Sequence, residues 1–162
     1  MIISDRAKLF VDTVYDLDNY SLYKGLIPII ATILFAIQIY CDFAGYTYIA
    51  MGAAKVMGFK LMDNFNTPYF ATSIKDFWAR WHISLTNWFR DYVYIPLGGN
   101  RKGKLRKYIN IFVVFALSGQ WHGASYTFVF WGVLHGILRI LDEATGKARD
   151  AMFKFFGARD NF

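Results

Sequence analysis

Hydrophobic residues in this chain run in long stretches, the first from Gly25 to Cys41. It covers 17 residues between Lys24 and Asp42, with only Thr32 and Gln38 polar. A bilayer core of ~30 Å needs ~20 mainly apolar residues in a helix rising ~1.5 Å each, so this window predicts a spanning helix. Pro28 falls near its start, where a missing amide does least damage. The second stretch, Tyr108 to Leu138, holds no Asp, Glu, Lys or Arg in 31 consecutive positions. As one helix it would reach about 46 Å, too long for a single perpendicular span. A break is therefore expected at Ser118-Gly119-Gln120-Trp121-His122-Gly123. Broken backbone at membrane depth survives only against protein or a wet cavity, which predicts a buried polar cavity there.

Between these stretches the pattern changes several times. FAGYTYIAMGAA (Phe43–Ala54) is rich in small residues, Gly45, Ala50, Gly52, Ala53 and Ala54, and predicts a helix closely packed inside a bundle. NFNTPYFAT (Asn64–Thr72) reads as a turn or extended link. Ser73 suits an N-cap, with Asp76 in the first turn where a negative charge complements the helix dipole. From there Phe77, Trp78, Trp81, Leu85, Trp88, Phe89 and Tyr92 fall on one arc at 100° per residue, and Asp76, Arg80, Asn87 and Arg90 fill the rest. That predicts one amphipathic helix at the headgroup interface or in a re-entrant position, with His82 at the border of its aromatic arc. Pro96-Leu97-Gly98-Gly99-Asn100 ends it. After Leu141 the chain turns polar and mixed in charge, with Ala148, Met152, Phe155 and Phe156 spaced for one more short amphipathic helix. The expected fold is all-α, an integral membrane helical bundle over residues 1–141 followed by a polar segment, 142–162.

Composition sharpens this picture. The chain is 56% hydrophobic and 20% aromatic, against roughly 45–50% apolar usage in ordinary domains, which excludes disorder. One cysteine, Cys41, excludes an intrachain disulfide scaffold. The net charge of +6 is concentrated, since five of the seven residues from Arg101 to Lys107 are basic and they directly precede the charge-free stretch. Cations flanking a span favour the cytoplasmic face, so residues 96–107 are placed inside the cell and nucleic acid is not an expected partner. Neither repeats nor a signal-peptide pattern is expected.

Candidate chemistry rests on the three histidines, His82, His122 and His135. His122 lies in the expected helix break beside Trp121, Gly123 and Ala124, and ionisable groups at membrane depth are costly and usually functional. The alternative is a core histidine that satisfies a carbonyl. His82 reads first as a packed side chain, and His135, preceding Gly136 in an apolar helix, as structural. The histidines are 40 and 13 residues apart with no H-x-x-x-H pair, so no metal site is expected. Asp42 ends the first span and calls for a cation or a helix-end partner. Cys41 has no neighbouring cation to activate it and reads as packing. Gly98-Gly99-Asn100 with its basic run lacks phosphate-loop spacing and reads as a turn before a positive anchor.

Four strings, QIYCDFAGYTYIAMG, NFNTPYF, FWARWHISLTNWFRDYVYIPLGGNRKG and SGQWHGASYTFVFWGVLHG, resemble in order and spacing the membrane-bound O-acyltransferase family, in its alginate O-acetyltransferase-like branch. The resemblance covers roughly residues 1–141. Members are multi-span helical proteins about three times as long, so it implies that this chain is a central portion of one. It also implies a catalytic histidine at His122, in the WHG motif, and a second important one at His82, in the RWH motif. The site would line a tunnel where a donor from inside meets an acceptor hydroxyl.

On that reading His122 is a general base and His82 a support. Donors to the developing oxyanion would come from His82, Asn87 and Trp121, and Asp42 and Gln120 are further candidates to line the tunnel. The resemblance implies acetyl transfer from acetyl-CoA or an acyl-carrier thioester to an extracellular polysaccharide, with no tightly bound cofactor and no metal. It also implies a multi-pass protein of the cytoplasmic membrane that works with partner subunits of an extracellular or periplasmic acetylation complex. The rival reading is a non-catalytic membrane scaffold or conduit, or an inactive fragment.

Overall fold

The computed structural model describes residues 2–16 and 22–155, which are helical apart from turns and one isolated bridge. The fold is all-α, as the hydrophobic pattern predicts. The segment from Phe156 onward lies outside the described residues. The chain divides into two units, Met1–Met62 and Asp63–Phe162, which are taken in turn.

In the first unit α1 (Ile2–Tyr15) pairs with α2 (Leu26–Val56). Ser4, Ala7, Val11 and Val14 are the buried face of α1, a three-and-four spacing that puts them on one side of a helix. Tyr15 donates to the carbonyl of Pro28 at 3.1 Å and shares a 2.6 Å hydrogen bond with Thr32 at one end of the pair. At the other end Ser4 donates to Asp42 at 3.4 Å. The partner found for Asp42 is thus a hydroxyl rather than the expected cation or helix end. The predicted span and the small-residue segment are one continuous helix of 31 residues. Among the described residues it is the one helix long and apolar enough to cross a membrane. Gly45 and Gly52 face open space, since a Cβ on either would meet nothing within 4 Å. The close approach expected there has no partner in this unit.

The second unit is organised around α5 (Gly103–His122) and α6 (Tyr126–Phe155). Lys107 pairs with Glu143 at one end, and Gly119 meets Gly132 near the other, so the two helices run antiparallel. The expected break within Ser118–Gly123 falls at the last residue of that window. α5 stays helical through His122, and the chain turns at Gly123–Ser125. A two-helix hairpin therefore replaces the interrupted span, because the bare backbones of Gly119 and Gly132 let the arms close tightly. The polar stretch from Asp142 continues α6 as far as Phe155.

Short elements dress this hairpin. Thr67 precedes a 3-10 turn, Pro68–Phe70, and Ser73 caps α3 (Ile74–Arg80) as predicted, accepting from the Asp76 amide at 3.0 Å. Asp142 on α6 reaches the α3 N-terminus, where its carboxylate accepts from the Lys75 amide at 3.0 Å. It also pairs with Arg149 and stands 3.9 Å from Arg139. α4 (Ile83–Phe89) passes into a π turn, Arg90–Tyr94, and then into the glycine loop. Gly98 and Gly99 have φ of 104° and 52°, which side chains rarely adopt. Fully buried Asn110 closes this loop by donating to the carbonyls of Leu97 and Gly99 at 3.3 and 3.1 Å.

Candidate active site

The amphipathic pattern predicts one helix from Ser73 to Tyr92, and the structure breaks it at the residue of most interest. α3 ends at Arg80, Trp81 is extended, and His82 sits in the left-handed region at φ 46°, ψ 55° before α4 begins. That conformation costs a non-glycine residue roughly 1–2 kcal/mol, so something else must hold it. The holder is Asn64–Asn66, which runs antiparallel to the joint with a bridge between Phe65 and Trp81. The Asn66 amide donates to the Arg80 carbonyl at 3.0 Å, and the Ile83 amide donates to the Asn64 carbonyl at 3.0 Å. Asn64 Oδ1 accepts from the Ser84 amide at 3.1 Å and from the Ser84 hydroxyl at 2.6 Å. Buried Phe65 packs edge-on to Trp81, with centroids 5.0 Å apart.

The joint presents His82 to Trp121, with ring centroids 6.4 Å apart. Trp121 and His122 are neighbours at the C-terminal end of α5, their rings 5.2 Å apart. His122 stands edge-on to Trp131 of α6 at 5.3 Å and lies over Phe128 at 6.2 Å. Trp131 contacts His135 at 4.6 Å, and Trp78 of α3 meets both Trp131 and His135, at 5.8 and 5.2 Å. All three histidines thus sit in one chain of aromatic rings, although they are far apart in sequence.

His122 is exposed, and among the described residues no group hydrogen-bonds its imidazole. His82 lies on the short-helix joint, outside the long helices. Burial, and then the nearby His122, hold its pKa below the ordinary histidine range. That shift favours the neutral imidazole. The pairing of an exposed neutral-capable base with a second imidazole across one indole suits proton transfer to or from a hydroxyl.

Other predicted residues are placed as follows. Trp121 is 60% exposed, beside His122. Gln120 is exposed on the last turn of α5, its carbonyl accepting from the Gly123 amide at 3.2 Å. Asn87 lies on α4, more than a turn beyond His82, and among the described residues nothing joins its side chain to His122. Asp42 belongs to the first unit. A groove of about 390 Å³ near the start of α3 is lined by residues between Pro68 and Phe77 and includes none of the histidines. Sequence reasoning passed over Asn64 and the ring link through Trp131. The i, i+4 spacing of Trp131 and His135 on one helix face was the available signal for the second.

The sequence profile of the membrane-bound O-acyltransferase family matches residues 2–161. A probable alginate O-acetylase AlgI of Pseudomonas putida is 42% identical over 146 residues, 90% of this chain and 30% of the relative. A peptidoglycan O-acetyltransferase of Helicobacter pylori is 42% identical over 148 residues, 91% of this chain and 28% of the relative. A teichoic acid D-alanyltransferase of Bacillus subtilis is 39% identical over 111 residues, 64% of this chain and 28% of the relative. The chain spans less than a third of the length of these relatives.

Proposed function

The chain belongs to the membrane-bound O-acyltransferase family, and from that premise we propose that it carries the catalytic histidine of an O-acetyl transfer to hydroxyls of an extracellular polysaccharide. The relatives named for alginate and for peptidoglycan O-acetylation support a glycan acceptor and an acetyl group. The observation that carries the reading is His122 itself. It is an exposed imidazole with no hydrogen bond from the described residues, at the end of a helix, between Trp121 and Trp131 and with His82 beyond Trp121.

In the proposed step neutral His122 takes the proton of an acceptor hydroxyl while that oxygen attacks the carbonyl of an acetyl thioester. A C–O bond forms, the C–S bond breaks, and the proton passes from His122 to the departing thiolate. Base catalysis of this kind contributes ~10²–10⁴-fold, and the rest comes from positioning and from donors to the oxyanion. His82 and the Trp121 indole are the proposed donors. Gln120 and Asn87 are proposed to line the route, with the remaining walls supplied by the rest of a multi-pass protein of the cytoplasmic membrane. An acyl-carrier thioester or acetyl-CoA is the proposed donor, and secreted acetylation subunits are the proposed partners.

The test is His122→Ala in the protein expressed with its genomic flanking sequence, assayed in membranes for label transferred from acetyl-CoA to polysaccharide. A loss of 10²-fold or more is expected. Unchanged transfer at equal protein level would overturn the reading in favour of a scaffold.

A further inference from the structure

We propose that Asn64 is a positioning residue for His82, holding open the helix joint that sets this imidazole beside Trp121 and His122. The proposal rests on the acyltransfer reading above. Pattern and structure differ at this joint. From Ser73 to Ile95 there is no Gly or Pro, and the aromatic arc continues across the joint, so nothing local ends the helix at Arg80. In an unbroken helix the amides of Ile83 and Ser84 would donate to the carbonyls of Ala79 and Arg80, four residues back.

Asn64 takes both amides instead. Its backbone carbonyl accepts from Ile83 and its side-chain oxygen from Ser84, while the Asn66 amide occupies the Arg80 carbonyl that Ser84 has given up. The Ile83 and Ser84 amides and the Arg80 carbonyl, displaced by the break, are thus re-satisfied by one three-residue segment. The Ser84 hydroxyl adds a second donor to the same Oδ1 at 2.6 Å. Without the Oδ1 acceptor the Ser84 amide regains its helical partner as the better option. The left-handed turn at His82 then relaxes, and the imidazole leaves Trp121. Asn64 does not touch the reacting atoms on this account, and it acts through His82 alone.

Only the acceptor oxygen matters for this role, so Asn64→Asp preserves it and Asn64→Ala removes it. The experiment compares kcat and KM for acetyl-CoA in membranes carrying Asn64→Ala, Asn64→Asp, His82→Ala, the double variant Asn64→Ala/His82→Ala, and His122→Ala, each with its genomic flanking sequence. Expected is a tenfold or larger fall in kcat for Asn64→Ala with KM within twofold. Asn64→Asp should recover to within threefold of wild type, and the double variant should be no slower than His82→Ala. Wild-type kcat in Asn64→Ala, or a further loss in the double variant, overturns the proposal. Should Asn64→Ala not accumulate, Ser84→Ala is read instead, since it removes one donor and leaves every backbone bond. A threefold or larger fall in kcat supports the proposal there, and an unchanged kcat overturns it. The His122→Ala arm separates the two ideas. If it keeps full turnover, the acyltransfer reading fails and takes this one with it; if it is inactive while Asn64→Ala is normal, only the role of Asn64 falls.

Discussion

Gly119 of α5 and Gly132 of α6 lie in backbone contact, such that a Cβ built on either would stand 3.0 Å from the Cα of the other. A Cβ on Gly132 would also run into the Phe115 carbonyl, and one on Gly119 into the Phe128 carbonyl. Because the obstacle is backbone on both sides, no rotamer change relieves it. The same contact carries Trp131, one residue before Gly132, to the ring of His122.

Gly119→Ala should therefore force the arms apart, with an overpacking loss of about 1–3 kcal/mol. Gly146→Ala on the same hairpin is the control. A Cβ there meets only Arg149 Nη2 at 3.8 Å, and a mid-helix alanine in place of glycine gains roughly 0.5–1 kcal/mol. Thermal unfolding in detergent should shift down for the first and up for the second. Shifts of the same sign would contradict the seam.

The left-handed backbone at His82 separates stability from activity. His82→Gly and His82→Ala both remove the imidazole, but only glycine occupies φ 46° without strain. The glycine variant should be the more stable of the two by about 1 kcal/mol, by chemical denaturation, while both lose acetyl transfer. An alanine variant as stable as the glycine one would mean that the joint relaxes freely.

Asp142 ties α3 to α6 with its side chain only 6% exposed. Asp142→Ala leaves the Lys75 amide without its acceptor and removes the carboxylate paired with Arg149, a loss of about 2–3 kcal/mol for hydrogen bonds to a charged group, while Arg139 keeps Glu143. Asp142→Asn keeps an acceptor for the amide and should fall between the alanine variant and wild type in melting temperature.

Glu143 predicts an acid limb. The hydrogen bond from Lys107, and then that from Arg139, hold its carboxyl below the usual range. A depressed folded pKa adds stability that is complete above the unfolded value, near 4.3, and is lost as pH falls through the folded one. The melting temperature should drop as pH falls below about 4, and Glu143→Gln should flatten that slope. An unchanged slope would show that the pair with Lys107 does not persist in solution.

Much of the architecture was legible in the hydrophobic pattern because long charge-free runs and a serine cap are local signals. The α2 span, the Ser73 cap and the turn at Gly98-Gly99 follow from residues within a few positions of one another. What escaped was set at a distance. The aromatic arc from Phe77 to Tyr92 is helical in every local respect, and only Asn64, twenty residues from Ser84, diverts the amides that would have continued it. A helix break was expected within Ser118–Gly123, where glycine looked like a breaker, and it falls at Gly123. Gly119 is instead a contact surface, and the chain turns after His122. His122 and His82 were legible as candidates through the family motifs. Their connection through Trp121, and that of His122 to His135 through Trp131, required the fold.

α5 separates the cations of residues 101–107 from His122. From Lys107 to His122 the helix is unbroken and climbs about 22 Å. If the imidazole acts as proposed, a reagent that rests a negatively charged end on that basic loop must extend its reactive carbon over a distance comparable to most of a bilayer's hydrocarbon layer. On the acyltransfer reading proposed above, that span suits a thioester on a long flexible arm better than a short acyl phosphate.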